Sequence, residues 1–193
     1  MSRPSLRERK QQRARDEIVE AAYALFAERG YAAVTVADIA ERAEVGRTTF
    51  FRYFGDKQEV VFANEQDWLD DIGRRHRELR PDRPPSLAEA LSLLRATTEA
   101  VCEQVTRDPR RYAERERLIA GNPELGDRAA RKQRRLAESL SEILREQGAS
   151  AETAALAPRV ALACYIAGRE VAGADPAALR PNVAAAFDAL GIR

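Results

Sequence analysis

The chain has 193 residues, enough to bury a sizeable core without disulfide or metal staples. Its 32 Lys and Arg against 31 Asp and Glu leave a formal net charge of +1, so the bulk balance names neither a nucleic acid nor an acidic partner and any electrostatic signal has to be local. Cys102 and Cys164 do not make a disulfide framework and no apolar run approaches the roughly 18 to 20 residues that span a bilayer, so a soluble, cytoplasmic protein without a membrane partner is expected.

The first fifteen residues carry Arg3, Arg7, Arg9, Lys10, Arg13 and Arg15 against Glu8 alone. Such a run is either a solvated tail or an arm that seeks phosphate. Ile18, Ala22, Leu25 and Phe26 follow helical spacing, which predicts an amphipathic helix over about 9–28, stopped by Gly30. In "TVADIAERA", Thr35 is a good N-cap with Asp38 three residues on, and Val36, Ile39, Ala40 and Ala43 make the apolar face of a second helix about two turns long. A third short helix follows Gly46, which supplies a permissive backbone in the turn, and Phe50 and Phe54 lie one helical turn apart on it. Two short helices joined by a tight turn behind a longer helix form the helix-turn-helix pattern.

"DKQE" opens a fourth helix, with Asp56 as N-cap and Glu59 at the third helical position, expected to run to about residue 79 before the break "RPDRPP". Ser86 with Glu89 caps a helix bearing Leu87, Leu91, Leu94, Thr98, Val101 and Val105, and Asp108-Pro109 and Asn122-Pro123 each start a further one. Leu136, Leu140, Ile143 and Leu144 line the second of these, whose basic run Arg128 to Arg135 is read as a solvated face. The last helices, over 151–173 and 177–190, are alanine-rich and apolar on two sides, so both sides need cover. The fold class is therefore all-α, with no strand pattern and no repeat.

On a helical wheel of about 100° per residue, Thr49, Phe51 and Arg52 share a side with Thr48, Tyr53 sits at its edge, and Phe50 and Phe54 point the opposite way. That divides the aromatics of "VGRTTFFRYFGDK" into anchors and surface residues. Arg47, Thr48, Thr49, Phe51 and Arg52 have the chemistry of a major-groove reader: Arg bonds a guanine edge, Thr bonds or touches a thymine methyl, and an aromatic packs on a methyl or sugar. Tyr53 and Lys57 suit phosphate contacts that fix register. The alternative is a helix-turn-helix-shaped packing module with a solvated polar face.

The stretch "GYAAVTVADIAERAEVGRTTFFRYFGDKQEVV", Gly30 to Val61, closely resembles the N-terminal DNA-binding segment of TetR-type transcriptional regulators. It has, in order, the Gly-aromatic pair, the Thr that opens the second helix, Ile-Ala, a Val-Gly turn, three variable residues, the aromatic cluster and an acidic residue before Lys. The resemblance implies a DNA-binding set of Thr35, Arg47, Thr48, Thr49, Phe51, Arg52, Tyr53 and Lys57, with Thr35 at a phosphate and Arg47, Thr48 and Thr49 on bases. Phe51 stands where the family often has Tyr, so a phosphate bond from that hydroxyl is lost.

It further implies an N-terminal arm and three-helix helix-turn-helix domain over 1–55, then a helical effector-binding and dimerisation domain over 56–193. The partners implied are a palindromic double-stranded DNA operator, a second copy of the chain and a small, largely apolar effector that releases a repressor from DNA. Trp68, Ile72, His76, Cys102 and Tyr112 are pocket candidates; Val160, Ile166, Val183, Phe187 and Leu190 are candidates for the dimer interface, unless the two-sided helices merely form a monomer core. With one histidine, no nucleophile motif and no phosphate loop, no catalytic residue, metal or cofactor is expected, and the chain is not read as an enzyme.

Overall fold

The computed structural model describes residues 5–63, 65–79 and 81–192, and these form ten helices with no strand among them. They are α1 (Leu6–Arg29), α2 (Val36–Arg42), α3 (Arg47–Tyr53), α4 (Lys57–Val61), α5 (Glu65–Glu78), α6 (Leu87–Val105), α7 (Pro109–Gly121), α8 (Pro123–Glu146), α9 (Ala151–Ala172) and α10 (Pro176–Ala189). The chain divides into two compact units, Met1–Gln66 and Asp67–Arg193.

In the first unit α1 supplies the floor on which the short helices rest. Its Ile18, Ala22, Leu25 and Phe26 are buried with Tyr31, Val34, Ile39, Ala40, Phe50, Phe54 and Val60. Helices of seven residues are too short to persist on propensity, so this burial holds them. Phe50, fully buried, meets Phe54 at 5.8 Å between ring centroids; truncating a side chain so enclosed costs about 3–5 kcal/mol. α1 begins at Leu6, so the basic segment from there to Arg15 is the first part of a helix and not a tail. Within it Arg13 pairs with Glu17 at 2.9 Å.

Two expectations are corrected here. The helix opened by Asp56 does not run on to residue 79: it stops at Val61, and α5 starts at Glu65. Continuation would need the Val61 and Ala63 carbonyls for α-helical bonds, but the Tyr23 hydroxyl donates to Val61 O at 3.2 Å and the Arg15 guanidinium donates to Ala63 O. Phe62 and Ala63 are buried at the break. The permissive residue of the inter-helix turn is also not Gly46, whose φ of −70° suits any residue; Glu44 carries the left-handed backbone, at φ 53°.

In the second unit the core joins α6, α7, α8, α9 and α10 through Leu94, Cys102, Tyr112, Leu140, Ile143, Ala157, Ala161, Leu179, Val183 and Phe187, among others. Gly168 lets α9 and α10 approach until a Cβ there would sit 2.5 Å from the Val183 backbone nitrogen. Arg95 of α6 holds Glu99 at 2.9 Å and Asp188 of α10 at 2.6 Å. Glu116, nearly buried, sits between Arg115 at 3.1 Å and Arg169 at 3.0 Å, which compensates its desolvation. The Ser86 and Asp108 caps form as expected. Asn122 makes no side-chain cap, because its amide donates to the Leu118 carbonyl at the end of α7. The basic run of α8 lies across from that helix's buried stripe of Leu125, Ala129, Ala137 and Leu140, with Arg131, Arg134 and Arg135 exposed.

Candidate nucleic-acid interface

The local chain makes α3 an anchored helix with one open face. Gly46 begins it in an extended conformation, Thr49 and Phe50 amides close its first turn onto the Gly46 carbonyl, and Phe50 and Phe54 insert into the unit's core. Arg47, Thr48 and Arg52 are left exposed, Thr49 and Tyr53 are partly exposed, and Phe51 is 54% exposed. The structure thus brings Arg47, Thr48, Thr49, Phe51, Arg52 and Tyr53 together on a single short helix, as the wheel anticipates. Phe51 is propped edge-on against Phe50, with centroids 5.5 Å apart, and the Arg52 guanidinium lies 5.1 Å from the Tyr53 ring centre. Both contacts narrow the rotamers of surface groups before any partner arrives, reducing the entropy lost on binding.

Thr35 is placed at the head of α2 in a complete capping box. Its hydroxyl accepts from the Asp38 amide at 3.2 Å and donates to the Asp38 carboxylate, which also accepts from the Thr35 amide at 2.8 Å. Those bonds from Thr35, first its hydroxyl and then its backbone, hold the Asp38 carboxyl below its ordinary pKa. A phosphate at this hydroxyl would therefore have to displace an internal acceptor. Lys57 sits on α4 with its ammonium turned toward the loop before Thr35, donating to the Tyr31 and Val34 carbonyls, both at 2.9 Å.

Beside α3 the structure opens a groove of about 520 Å³ lined by Leu6, Lys10, Gln11, Ala14, Arg52 and Tyr53. Lys10 belongs to the basic run whose charge suits a phosphate-seeking arm, whereas Leu6, Gln11 and Ala14 have no such signal in the charge pattern. The signal that could have found them is the helical register of α1, which carries Leu6, Lys10 and Ala14 on one face at intervals of four.

Of the pocket candidates, His76, Cys102 and Tyr112 are interior residues. Cys102 and Tyr112 are in the same core, at 0% and 2% exposure, and Ile72 packs against it. Burial first, then the Glu99 charge, pushes the Cys102 thiol up to about 12, so it is a buried hydrophobe and not a nucleophile. Burial likewise raises the Tyr112 phenol, which donates to the Gly173 carbonyl at 3.2 Å. His76 is buried, with Nε2 2.9 Å from Thr97 Oγ1; that hydroxyl donates to the Leu93 carbonyl, so Nε2 is the protonated nitrogen. The side chain of Trp68 lies outside the described residues. Among the described residues no group of three His, Cys, Asp or Glu is placed to hold a metal, and no helix is long and apolar enough to cross a membrane.

Of the residues expected at a dimer interface, Val183 and Phe187 are corrected. Both are fully buried within the same chain, where they form the inner face of α10 with Leu179. Val160 and Ile166 are partly exposed and Leu190 is 60% exposed. The outer stripe of α9 runs through Leu156, Val160, Ala163, Ala167 and Val171, with Leu156 47% and Val171 73% exposed.

Residues 18–63 match the family described as "Bacterial regulatory proteins, tetR family". The chain is similar to the HTH-type transcriptional regulator TcmR of Streptomyces glaucescens, 47% identical over 60 residues that make up 31% of this chain and 26% of TcmR. It is also similar to the HTH-type transcriptional repressor KstR2 of Mycobacterium tuberculosis, 34% identical over 87 residues, 45% of this chain and 44% of KstR2. The matched part thus spans less than half the length of these relatives. Among solved structures, Thermus thermophilus FadR, a TetR-family transcriptional repressor in complex with lauroyl-CoA, shares the fold with a TM-score of 0.54 at 24% identity, over 91% of this chain and 92% of FadR.

Proposed function

We propose, for a chain that belongs to the TetR family of transcriptional regulators, that it binds a palindromic DNA operator as a homodimer and is released by a small-molecule effector. The observation that carries the reading is the division of α3: Phe50 and Phe54 are sunk in the core while Arg47, Thr48, Thr49 and a 54% exposed Phe51 face outward. A solvated packing module has no use for an exposed phenylalanine beside an arginine and two threonines. A major-groove reader uses each of them. Arg52, Tyr53 and Lys10 around the adjoining groove supply cationic and hydroxyl groups for the DNA backbone, which fix register without reading sequence.

Dimerisation follows from the size of the reader. One seven-residue helix touches too few bases for a specific site, and two copies about 34 to 36 Å apart meet a palindrome on one face of the duplex. The outer stripe of α9, with Leu156, Val160 and Val171, is the surface we assign to the second copy, joined by Ile166 and Leu190 at its margins. In this division of labour residues 1–55 read DNA and 56–193 bind effector and partner. The effector is small and largely apolar, which agrees with a second unit whose interior candidates Ile72, Cys102 and Tyr112 are hydrophobic or partnered. That KstR2 is a transcriptional repressor supports the repressor part of this reading. Release requires the effector to prefer a subunit arrangement whose reading helices no longer match the operator, since equal affinity for both arrangements shifts nothing.

The test is substitution on the reading face. Arg47→Ala should lower affinity for the preferred duplex by about 1–3 kcal/mol and relax preference at one base position, while affinity for random duplex changes little. Equal losses on both duplexes would contradict the assignment of Arg47 to bases.

A further inference from the structure

All six phenylalanines of the chain lie among the described residues, and Phe26, Phe50, Phe54, Phe62 and Phe187 are each exposed by 4% or less. Phe51 departs from them, 54% exposed on the open face of α3. Its ring is braced edge-on against the fully buried Phe50, with centroids 5.5 Å apart and planes at 85°. One side of the ring is thus fixed to the core, and the other is held outward as a rigid apolar surface.

Helical register sets the neighbours of that surface. Phe51 follows Arg47 by four residues and Thr48 by three, so it lies between these two exposed side chains and away from the margin where Tyr53 stands. A duplex that brings base edges to Arg47 and Thr48 brings them to the Phe51 ring as well. The ring offers no hydrogen bond, so a polar atom beneath it loses water and gains no partner in return. In the major groove adenine presents N7 and N6, guanine N7 and O6, and cytosine N4, all of them polar. The apolar group on a base edge is the C5-methyl of thymine. A phosphate oxygen under the ring is disfavoured for the same reason as a polar base atom.

We infer that Phe51 is a specificity-determining residue whose ring covers the C5-methyl group of one pyrimidine in each half-site, beside the base pair read by Arg47. This rests on the DNA-binding reading above. Thymine supplies the methyl in unmodified DNA, and 5-methylcytosine presents the same group at the same atom. The chain therefore distinguishes methylated from unmethylated pyrimidines, and methylation of a cytosine at this position strengthens binding.

The duplex preferred by the full wild-type chain is resynthesised with deoxyuridine replacing one thymine at a time, in both half-sites together. That exchange removes a methyl group and leaves the hydrogen-bonding atoms of the base pair in place. At one position, adjoining the base where Arg47→Ala relaxes preference, wild-type affinity should fall about fourfold per half-site and about fifteenfold for the pair. At that position a C·G pair carrying 5-methylcytosine should be bound tighter than the unmethylated C·G pair by the same factor. Phe51→Ala alters a residue more than half exposed, so helicity should survive. It should lose about tenfold or more on the thymine duplex and bind the thymine and deoxyuridine duplexes equally. Affinity for random DNA and the slope of log K against log salt should stay as in wild type, since no phosphate contact is removed. The assignment is overturned if the wild type prefers half-sites without thymine, or binds every deoxyuridine duplex as tightly as the parent. Continued discrimination of thymine from deoxyuridine by Phe51→Ala would overturn it too, since another group then reads the methyl. A preferred palindrome indifferent to the methyl sinks this assignment alone, whereas a selection that enriches no sequence removes the DNA-binding reading and the assignment with it.

Discussion

Replacing Gly168 with alanine tests the packing on which the second unit depends. A Cβ at this position would lie 2.5 Å from the Val183 nitrogen and 2.6 Å from its Cα, where ordinary contact begins near 3.4 Å. The obstacle is backbone, which cannot rotate away as a side-chain tip can, so α10 has to move off α9 by close to the missing ångström. That shift loosens Leu179, Val183 and Phe187, each fully buried. Overpacking of this kind costs about 1–3 kcal/mol, and the rigid obstacle argues for the upper end. Alanine regains about 1 kcal/mol of helix propensity over glycine. A net loss of about 2 kcal/mol is expected, corresponding to a fall of roughly 4–8 °C in Tm for a chain of this size. Gly126→Ala on α8 is the control: nothing lies within 4 Å of its Cβ, and it should stabilise by about 0.5–1 kcal/mol. Thermal and urea unfolding followed by far-ultraviolet circular dichroism, at fixed protein concentration, measure both. A Gly168→Ala chain as stable as wild type would show that α9 and α10 are not in the contact described.

Glu44→Gly should stabilise the chain by about 0.5–1 kcal/mol, because it relieves a left-handed residue at φ 53° and loses only part of that gain to unfolded-state entropy. Gly46→Ser should be within about 0.5 kcal/mol of wild type; a larger loss at Gly46 than at Glu44 in urea titrations would reverse the turn assignment. Burial holds the His76 imidazole below its ordinary pKa of 6.5, so on acidification the unfolded chain takes up the proton first. Its share of stability is present above pH 6.5, is lost as pH falls through that value, and levels off below the folded pKa. His76→Gln should therefore flatten the decline of urea midpoints between pH 7 and 5, and an identical decline in both chains would rule this out. Val171→Glu and Leu156→Glu alter residues that are 73% and 47% exposed, so helicity should survive while sedimentation shifts from dimer to monomer; a dimer that persists in both would exclude the outer face of α9.

Local signals in the sequence proved the most legible. Thr35 with Asp38, Asp56 with Glu59 and Ser86 with Glu89 are caps made between residues three apart, so spacing alone locates the helix starts. The faces of α3 were legible for the same reason, since period 3.6 sorts Phe50 and Phe54 from Arg47 and Thr48. The break between α4 and α5 was not, because the groups that take the Val61 and Ala63 carbonyls, Tyr23 and Arg15, are 38 and 48 residues distant. Periodicity also marks α10 as apolar on two sides without saying which side its own chain covers, and so it points to Val183 and Phe187 as partner contacts although the chain's own core covers both. Lys57 illustrates the same limit: its spacing announces a cation near the reading helix, but only the folded loop of Tyr31, Ala32 and Val34 reveals what that cation holds.

The most direct test of DNA recognition by the α3 face is selection from random duplex DNA with the purified chain at near-physiological salt, where non-specific binding is weak enough not to mask preference. Enrichment of a palindrome whose half-sites lie about one helical turn or slightly more apart is the predicted result. A pool that remains unenriched after repeated rounds, with the protein folded and dimeric, would contradict it.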